Sequence, residues 1–378
     1  MARTICTVLG TRPEIIKLAP LIPLLDAEPG VKQVLLHTGQ HYSFAMDAVF
    51  FDELGLRRAD VQLAVGSSSH AVQTAAILTG VEQAILTHGI ELMLVLGDTN
   101  STLGAALAAA KLGVPVVHIE AGCRSFVRTM PEEINRVVVD HCAAQLLAPN
   151  ESAHKQLIQE GIAARDISVV GSTAIDAARA FSSRASERSI VADSLRQLGL
   201  FRDTPFLACT VHRAENTTTD VLPGLVRGLN RLAELHPILW PVHPRTQRLL
   251  DELRLSTSPR VKLLPPLGYL DMLALLLGAR ALCTDSGGLQ EESYALGTPV
   301  LILRNETEWS YLVDAGCATL LGNREDDIVV RGHKCLTESE HQRMRHAAQV
   351  LTKRLQDGGA AQRIMQAVRQ RWLSQVRL

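Results

Sequence analysis

The sequence predicts an α/β protein built on two doubly wound parallel sheets, and three observations lead there. At 378 residues the chain exceeds what one core usually fills, so two domains of ordinary size are expected. Short apolar runs alternate with longer amphipathic stretches, which is the pattern of βαβ units. The alternation then restarts from Phe206, so a second sheet follows the first. Hydrophobic residues at 47% and charged residues at 20% describe a globular chain, and a net charge of -1 gives no reason to expect nucleic acid or an anionic membrane as partner. The expected ligand is small.

In chain order, the strands of the first sheet are expected at Thr4 to Leu9, Val34 to His37, Leu92 to Leu96, Val114 to Ile119, Gln145 to Ala148 and Ile167 to Val170. Those of the second are expected at Phe206 to Val211, Ile238 to Val242, Val261 to Leu264, Ala281 to Thr284 and Pro299 to Leu303. The boundary falls near Gly171-Ser172-Thr173, giving domains 1–172 and 173–359, and a cleft between the sheets is the natural place for a ligand. The seven cysteines stand singly, with no CxxC pair and no Cys/His cluster of zinc spacing, as expected for reduced thiols. The first apolar run is too brief for a signal peptide and no stretch approaches the ~20 apolar residues of a membrane span, so the expected location is the cytoplasm.

Ligands of parallel sheets sit beyond the carboxyl ends of the strands, which makes the polar residues after each apolar run informative. The first run leads into Gly10-Thr11-Arg12-Pro13-Glu14, where Arg12 and Lys17 suit a diphosphate or form a solvated first turn. Two neighbouring runs end in carboxylates, Asp98 and Glu120. Asp98 also suits a helix N-cap, whereas Glu120 ends a buried-looking run and needs a partner or a task. Pro131-Glu132-Glu133 opens a helix with two acids that suit its dipole. In the second half, His212-Arg213 and His243-Pro244-Arg245 follow strands. The loop Thr284-Asp285-Ser286-Gly287-Gly288 leads into a helix whose first N-H groups can cradle phosphate, with Glu292 one turn on for a ribose. Carboxylates in one half, with cations and a phosphate cradle in the other, fit a sugar nucleotide.

The motifs Gly10-Thr11-Arg12-Pro13-Glu14, Thr38-Gly39-Gln40-His41, Gly97-Asp98-Thr99, His118-Ile119-Glu120-Ala121-Gly122, Pro131-Glu132-Glu133-Ile134-Asn135-Arg136, His212-Arg213 and Thr284-Asp285-Ser286-Gly287-Gly288 occur in order across the chain. In this it resembles the non-hydrolysing UDP-N-acetylglucosamine 2-epimerases. The resemblance implies a GT-B architecture of two Rossmann-like domains, with a last helix in residues 360–378 returning to the first. It also implies a homodimer and no metal or redox cofactor. By matched positions, Asp98, Glu120 and Glu132 are the acid/base carboxylates, with the order of proton transfers left open. His212 assists the departing diphosphate, Arg12 and Lys17 support it electrostatically, Arg213 joins the binding set, Ser286, Gly287 and Gly288 hold the phosphates, and Glu292 holds the ribose. The implied reaction eliminates UDP from C1 as the C2 proton leaves, then adds it back to the 2-acetamidoglucal with the proton on the other face.

Some positions depart from the better-known bacterial members. Met272 stands where an aromatic is expected near the uracil, and Ala214 follows His212-Arg213 where a second arginine is expected. Gln40 and His41 match an activating site, but Ser43 and the Ser67-Ser68-Ser69-His70 segment do not, so activation by substrate is expected to be weak or altered. Alternatives remain. A UDP-2,3-diacetamido-uronate epimerase would place a C6 carboxylate against the stretch Cys123 to Arg128, a hydrolysing epimerase would release the sugar, a GT-B glycosyltransferase would use the nucleotide cradle with an acceptor, and a sensor would not react at all.

Overall fold

Leucine-, valine- and isoleucine-rich runs form strands buried on both faces, as parallel strands covered by helices require. The computed structural model describes residues 2–40, 50–354 and 358–373. Contacts divide the chain into two units, Met1–Ala177 with Gly358–Leu378, and Ala178–Asp357. The helix Thr173–Ser186, which begins directly after Gly171 and Ser172, runs through this boundary, so the division falls inside a helix.

The first unit holds a seven-stranded sheet of β1 (Arg3–Leu9), β2 (Val31–His37), β3 (Val61–Gln62), β4 (Leu92–Leu96), β5 (Val116–Ile119), β6 (Gln145–Ala148) and β7 (Ile167–Val169), in the order β3-β2-β1-β4-β5-β6-β7. The second holds six strands, β8 (Leu207–Thr210), β9 (Ile238–Pro241), β10 (Val261–Leu264), β11 (Ala281–Thr284), β12 (Val300–Ile302) and β13 (Ala318–Leu320), in the order β10-β9-β8-β11-β12-β13. Every pairing is parallel. The eleven expected strands form, and β3 and β13 are additions. Both additions are sheet edges of two and three residues, too short to show an apolar run, and each exists because a neighbouring strand offers it hydrogen bonds.

The strand order reverses between β1 and β4 in the first sheet and between β8 and β11 in the second. At such a switch point the flanking loops diverge and leave a crevice at the carboxyl ends of the strands. The last helix, Ala360–Val368, buries Ala360, Ala361, Ile364, Met365 and Val368 in the first unit. Its start is pinned where Asp176 Oδ2 accepts from Ala361 N at 2.7 Å, and beyond it Trp372 Nε1 donates to Gln145 Oε1 at 2.7 Å. Among the described residues, no helix is long and apolar enough to cross a membrane.

Candidate active site

At the first switch point, the loop after β1 starts the helix Arg12–Leu18 with a capping box of Thr11 and Glu14. Glu14 does more than cap. Its Oε2 accepts from Gly10 N at 2.8 Å, Thr11 N at 2.8 Å and Thr11 Oγ1 at 3.0 Å, and its Oε1 accepts from Thr99 Oγ1 at 2.6 Å and Thr102 Oγ1 at 3.2 Å. It thereby ties the loop after β1 to the loop after β4. Burial pushes its carboxyl above the ordinary range, against the lowering effect of those hydrogen bonds. Thr99, not Asp98, is the N-cap of Asn100–Lys111, accepting from Thr102 N, which leaves the Asp98 side chain for another task. Asp98 pairs with Arg136 Nη2, and Arg136 Nη1 reaches Glu133 at 3.1 Å.

Glu120 lies next to Ile119, the last residue of β5, in a left-handed conformation, φ 69°. Both its oxygens accept from Lys17 Nζ, at 2.8 and 2.6 Å. A non-glycine residue held there costs on the order of 1 kcal/mol, and such strain concentrates at functional sites. Of the two acids opening the helix Pro131–Cys142, Glu133 is buried and accepts from Ser125 N, Ser125 Oγ and Phe126 N at 2.9 to 3.0 Å. Burial alone would raise its carboxyl, but these donors and Arg136 hold it below the ordinary range. Glu132 is exposed, and its side chain makes no hydrogen bond or ion pair among the described residues. Arg12 stacks over Phe50, 4.7 Å from the ring centre. Gln40 is buried, its side-chain oxygen accepting from Ser101 N and Ser101 Oγ, and His41 and Ser43 lie outside the described residues.

The second switch point is stapled the same way. Asp285, fully buried, accepts from His212 N at 3.0 Å, Arg213 N at 3.0 Å and Asn216 Nδ2 at 3.1 Å, and His212 Nδ1 lies 3.2 Å from its Oδ1. Burial opposes ionisation, yet His212 and the N-H donors outweigh it and hold the carboxyl below the ordinary range. The His212 ring remains partly exposed, 6.0 Å from the ring of His243. Desolvation and the neighbouring His212 lower the His243 pKa.

Ser286 is the N-cap of Gly287–Ala295 but makes no side-chain cap bond, and nothing lies within 4 Å of where a Gly288 Cβ would stand. Open N-H donors and open space are what a phosphate needs. Arg213 Nη2 reaches Glu308 Oε1 at 3.3 Å, Arg304 grips the same carboxylate at 2.8 Å, and Trp309 Nε1 donates to Gly287 O at 2.9 Å. Glu292 is half-buried on the second turn of that helix, beside the buried Glu291, whose Oε1 accepts from Tyr311.

The predicted residues divide between the units, Arg12, Lys17, Asp98, Glu120 and Glu132 in the first and His212, Arg213, Ser286, Gly287, Gly288 and Glu292 in the second, and in the first the structure joins Lys17 to Glu120. Sequence reasoning missed Glu14 and Asp285 as staples, and Arg136, Glu308 and Trp309 as neighbours. The Thr-x-x-Glu spacing at Thr11 was the available signal for Glu14. Among the described residues, no group of three or more His, Cys, Asp or Glu could hold a metal ion.

Residues 24–369 match the family model described as UDP-N-acetylglucosamine 2-epimerase. The UDP-N-acetylglucosamine 2-epimerase of Methanococcus maripaludis is 40% identical over 341 residues, 88% of this chain and 92% of that one. The UDP-2,3-diacetamido-2,3-dideoxy-D-glucuronate 2-epimerase of Pseudomonas aeruginosa is 38% identical over 329 residues, covering 86% and 90%. The crystal structure of the Methanocaldococcus jannaschii UDP-GlcNAc 2-epimerase in complex with UDP-GlcNAc and UDP superposes with a TM-score of 0.78 at 36% identity, covering 93% of this chain and 99% of that one. With two parallel-sheet α/β units and the expected motifs at both switch points, the chain belongs to the UDP-N-acetylglucosamine 2-epimerase family.

Proposed function

We propose that this chain interconverts UDP-N-acetylglucosamine and UDP-N-acetylmannosamine by eliminating UDP and adding it back. The observation that carries this reading is the pair of carboxylates at adjacent strand ends, Asp98 and Glu120, each against one cation, with the exposed Glu132 on the helix that follows. The C2 hydrogen of such a sugar is too weakly acidic for a side chain to remove unaided. Breaking the C1-O bond as the C2 proton leaves avoids a carbanion, and the product is a glycal plus UDP. Returning the proton to the opposite face as UDP re-adds at C1 inverts C2. Asp98, Glu120 and Glu132 share these proton transfers. Lys17 and Arg12 supply positive charge for the departing diphosphate, and a site of this kind stabilises the charge that develops on the leaving oxygen. In the second unit the Gly287–Ala295 N-terminus and Arg213 take the phosphates, His212 assists departure, and Glu292 takes the ribose. The protein acts in the cytoplasm as a homodimer, as the resemblance implies.

The uronate relative is nearly as similar as the neutral-sugar one, so identity does not separate them. Within the stretch Cys123 to Arg128, expected to face a C6 carboxylate, the Arg124 side chain is 3% exposed and already engages Asp140, Glu160 and Cys123 O, whereas Arg128 is exposed.

Proton NMR of the protein with UDP-N-acetylglucosamine in heavy water tests the proposal. Deuterium entering C2 with UDP-N-acetylmannosamine appearing is the expected result. Free N-acetylmannosamine with UDP would mean hydrolysis, and an unchanged spectrum alongside turnover of the diacetamido-uronate would move the assignment there.

A further inference from the structure

A buried charged array lies behind the carboxylates of the first unit and is not absorbed by the reaction. His118 on β5 is fully buried, and its ring nitrogens face two acceptors, Asp140 Oδ1 at 2.6 Å and Gly97 O at 2.8 Å. A neutral imidazole has one donor and one acceptor nitrogen, so this ring satisfies both contacts only by donating twice. Asp140, also fully buried, accepts in addition from Gly122 N at 3.1 Å and pairs with Arg124 Nη2 at 2.7 Å. Arg124 closes on Glu160, with Nε to Oε1 at 2.8 Å and Nη2 to Oε2 at 2.6 Å. Burial works against ionisation of Asp140, but the His118 charge and hydrogen bond and the Arg124 contacts hold its carboxyl below the ordinary range.

What these contacts reach is specific. Gly97 immediately precedes Asp98. His118 and Gly122 flank Glu120, and Glu120 and Gly122 both take left-handed conformations, φ 69° and 83°. Asp140 stands on the same helix, Pro131–Cys142, that opens with Glu132. One cluster therefore grips the backbone beside two proposed acid/base residues and the helix bearing the third. Buried ion clusters are often no more stabilising than apolar residues of the same shape, but their hydrogen bonds fix angles that apolar packing leaves loose. A misplacement of about 1 Å costs on the order of 10²-fold in rate, so angular definition matters here.

We propose that His118, Asp140 and Arg124 are positioning residues, a buried array that sets the Gly97-Asp98 and Glu120-Gly122 turns in their reactive arrangement. The inference rests on the epimerase reading of Asp98, Glu120 and Glu132. It also gives Arg124 a task other than binding a substrate carboxylate.

Full-length wild type, Asp140→Asn and Arg124→Lys are compared in three measurements: deuterium incorporation at C2 of UDP-N-acetylglucosamine, UDP affinity by calorimetry, and 1H-15N spectra after 15N-glycine labelling. Asp140→Asn should lower kcat on the order of 10²-fold, and Arg124→Lys, which keeps its charge, about tenfold, with KM and UDP affinity within about threefold of wild type. The Gly97 and Gly122 amide signals should shift in both. Arg124→Lys carries the test if Asp140→Asn does not fold. A folded variant with wild-type kcat overturns the proposal, as does a parallel loss of KM and UDP affinity, the mark of general structural damage. If wild-type protein leaves the sugar untouched, the epimerase reading fails by itself. The glycine signals then decide alone: shifts support the positioning role and unmoved signals overturn it.

Discussion

Glu14 follows β1 and Asp285 follows β11, so they staple the two switch-point loops of their sheets from opposite sides, and they should respond oppositely to amide substitution. Half of the Glu14 carboxylate faces the hydroxyls of Thr99 and Thr102, which can rotate to accept from an amide. Its pKa is raised, so the stability it contributes is present below the unfolded value of 4.5 and is lost as pH rises through the folded value. At neutral pH, Glu14→Gln should thus cost under about 1 kcal/mol, while Glu14→Ala, which strands buried donors, should cost about 3 kcal/mol by urea denaturation. The partners of Asp285 are the backbone N-H groups of His212 and Arg213, the Asn216 amide and the His212 ring, none of them a hydroxyl. Asp285→Asn should cost about 2 to 3 kcal/mol. The Asp285 pKa is lowered, so its contribution is present above the unfolded value of 3.8 and is lost as pH falls through the depressed folded value. Urea midpoints of wild type should therefore fall more steeply below pH 3.8 than those of Asp285→Asn; equal slopes would remove Asp285 as the staple.

The turn after β5 is the most constrained element of the site. A Cβ at Gly122 would stand 2.4 Å from Ala153 O and 2.8 Å from Leu157 Cγ, on the helix Glu151–Gln159, and would also have to adopt a φ of 83°. Gly297 has a similar φ of 78° with nothing within 4 Å. Gly297→Ala should therefore cost only the conformational term, about 1 kcal/mol, whereas Gly122→Ala should cost about 3 kcal/mol or more and displace Glu120 with the turn. Thermal melts of both variants with turnover assays check this, and equal melting temperatures would show that the turn can give way. This element was half legible in sequence. Glu120 stood out as a carboxylate ending an apolar run, but nothing local indicated that the next glycine is wedged against a helix some thirty residues on.

In the whole molecule, the first unit is completed by the far end of the chain. Besides the buried face of Ala360–Val368, Arg363 Nε donates to Val170 O at 2.7 Å and Arg369 pairs with Glu28 at 2.6 Å. Burying the larger of those side chains is worth about 1.5 to 3 kcal/mol each, a sum comparable with the 5 to 15 kcal/mol that holds a typical domain. A chain truncated before Gly358 should thus lose cooperative folding of the first unit while the second unit still melts on its own, as seen by calorimetry. Retention of both transitions would show that the last helix is dispensable.

The sequence by itself determined the periodicity, hence the two parallel sheets, and it determined which polar residues stand at the strand ends, because a strand and the residue after it are neighbours in the chain. Asp98, Glu120, His212 and Ser286 were legible for that reason. Only the tertiary structure decided the strand order that makes two of those ends a switch point, the short edges β3 and β13, and the partners of each charge. Lys17 meets Glu120 from 103 positions away and His212 meets Asp285 from 73, separations at which no local propensity acts and only the packing of helices and strands sets the distance.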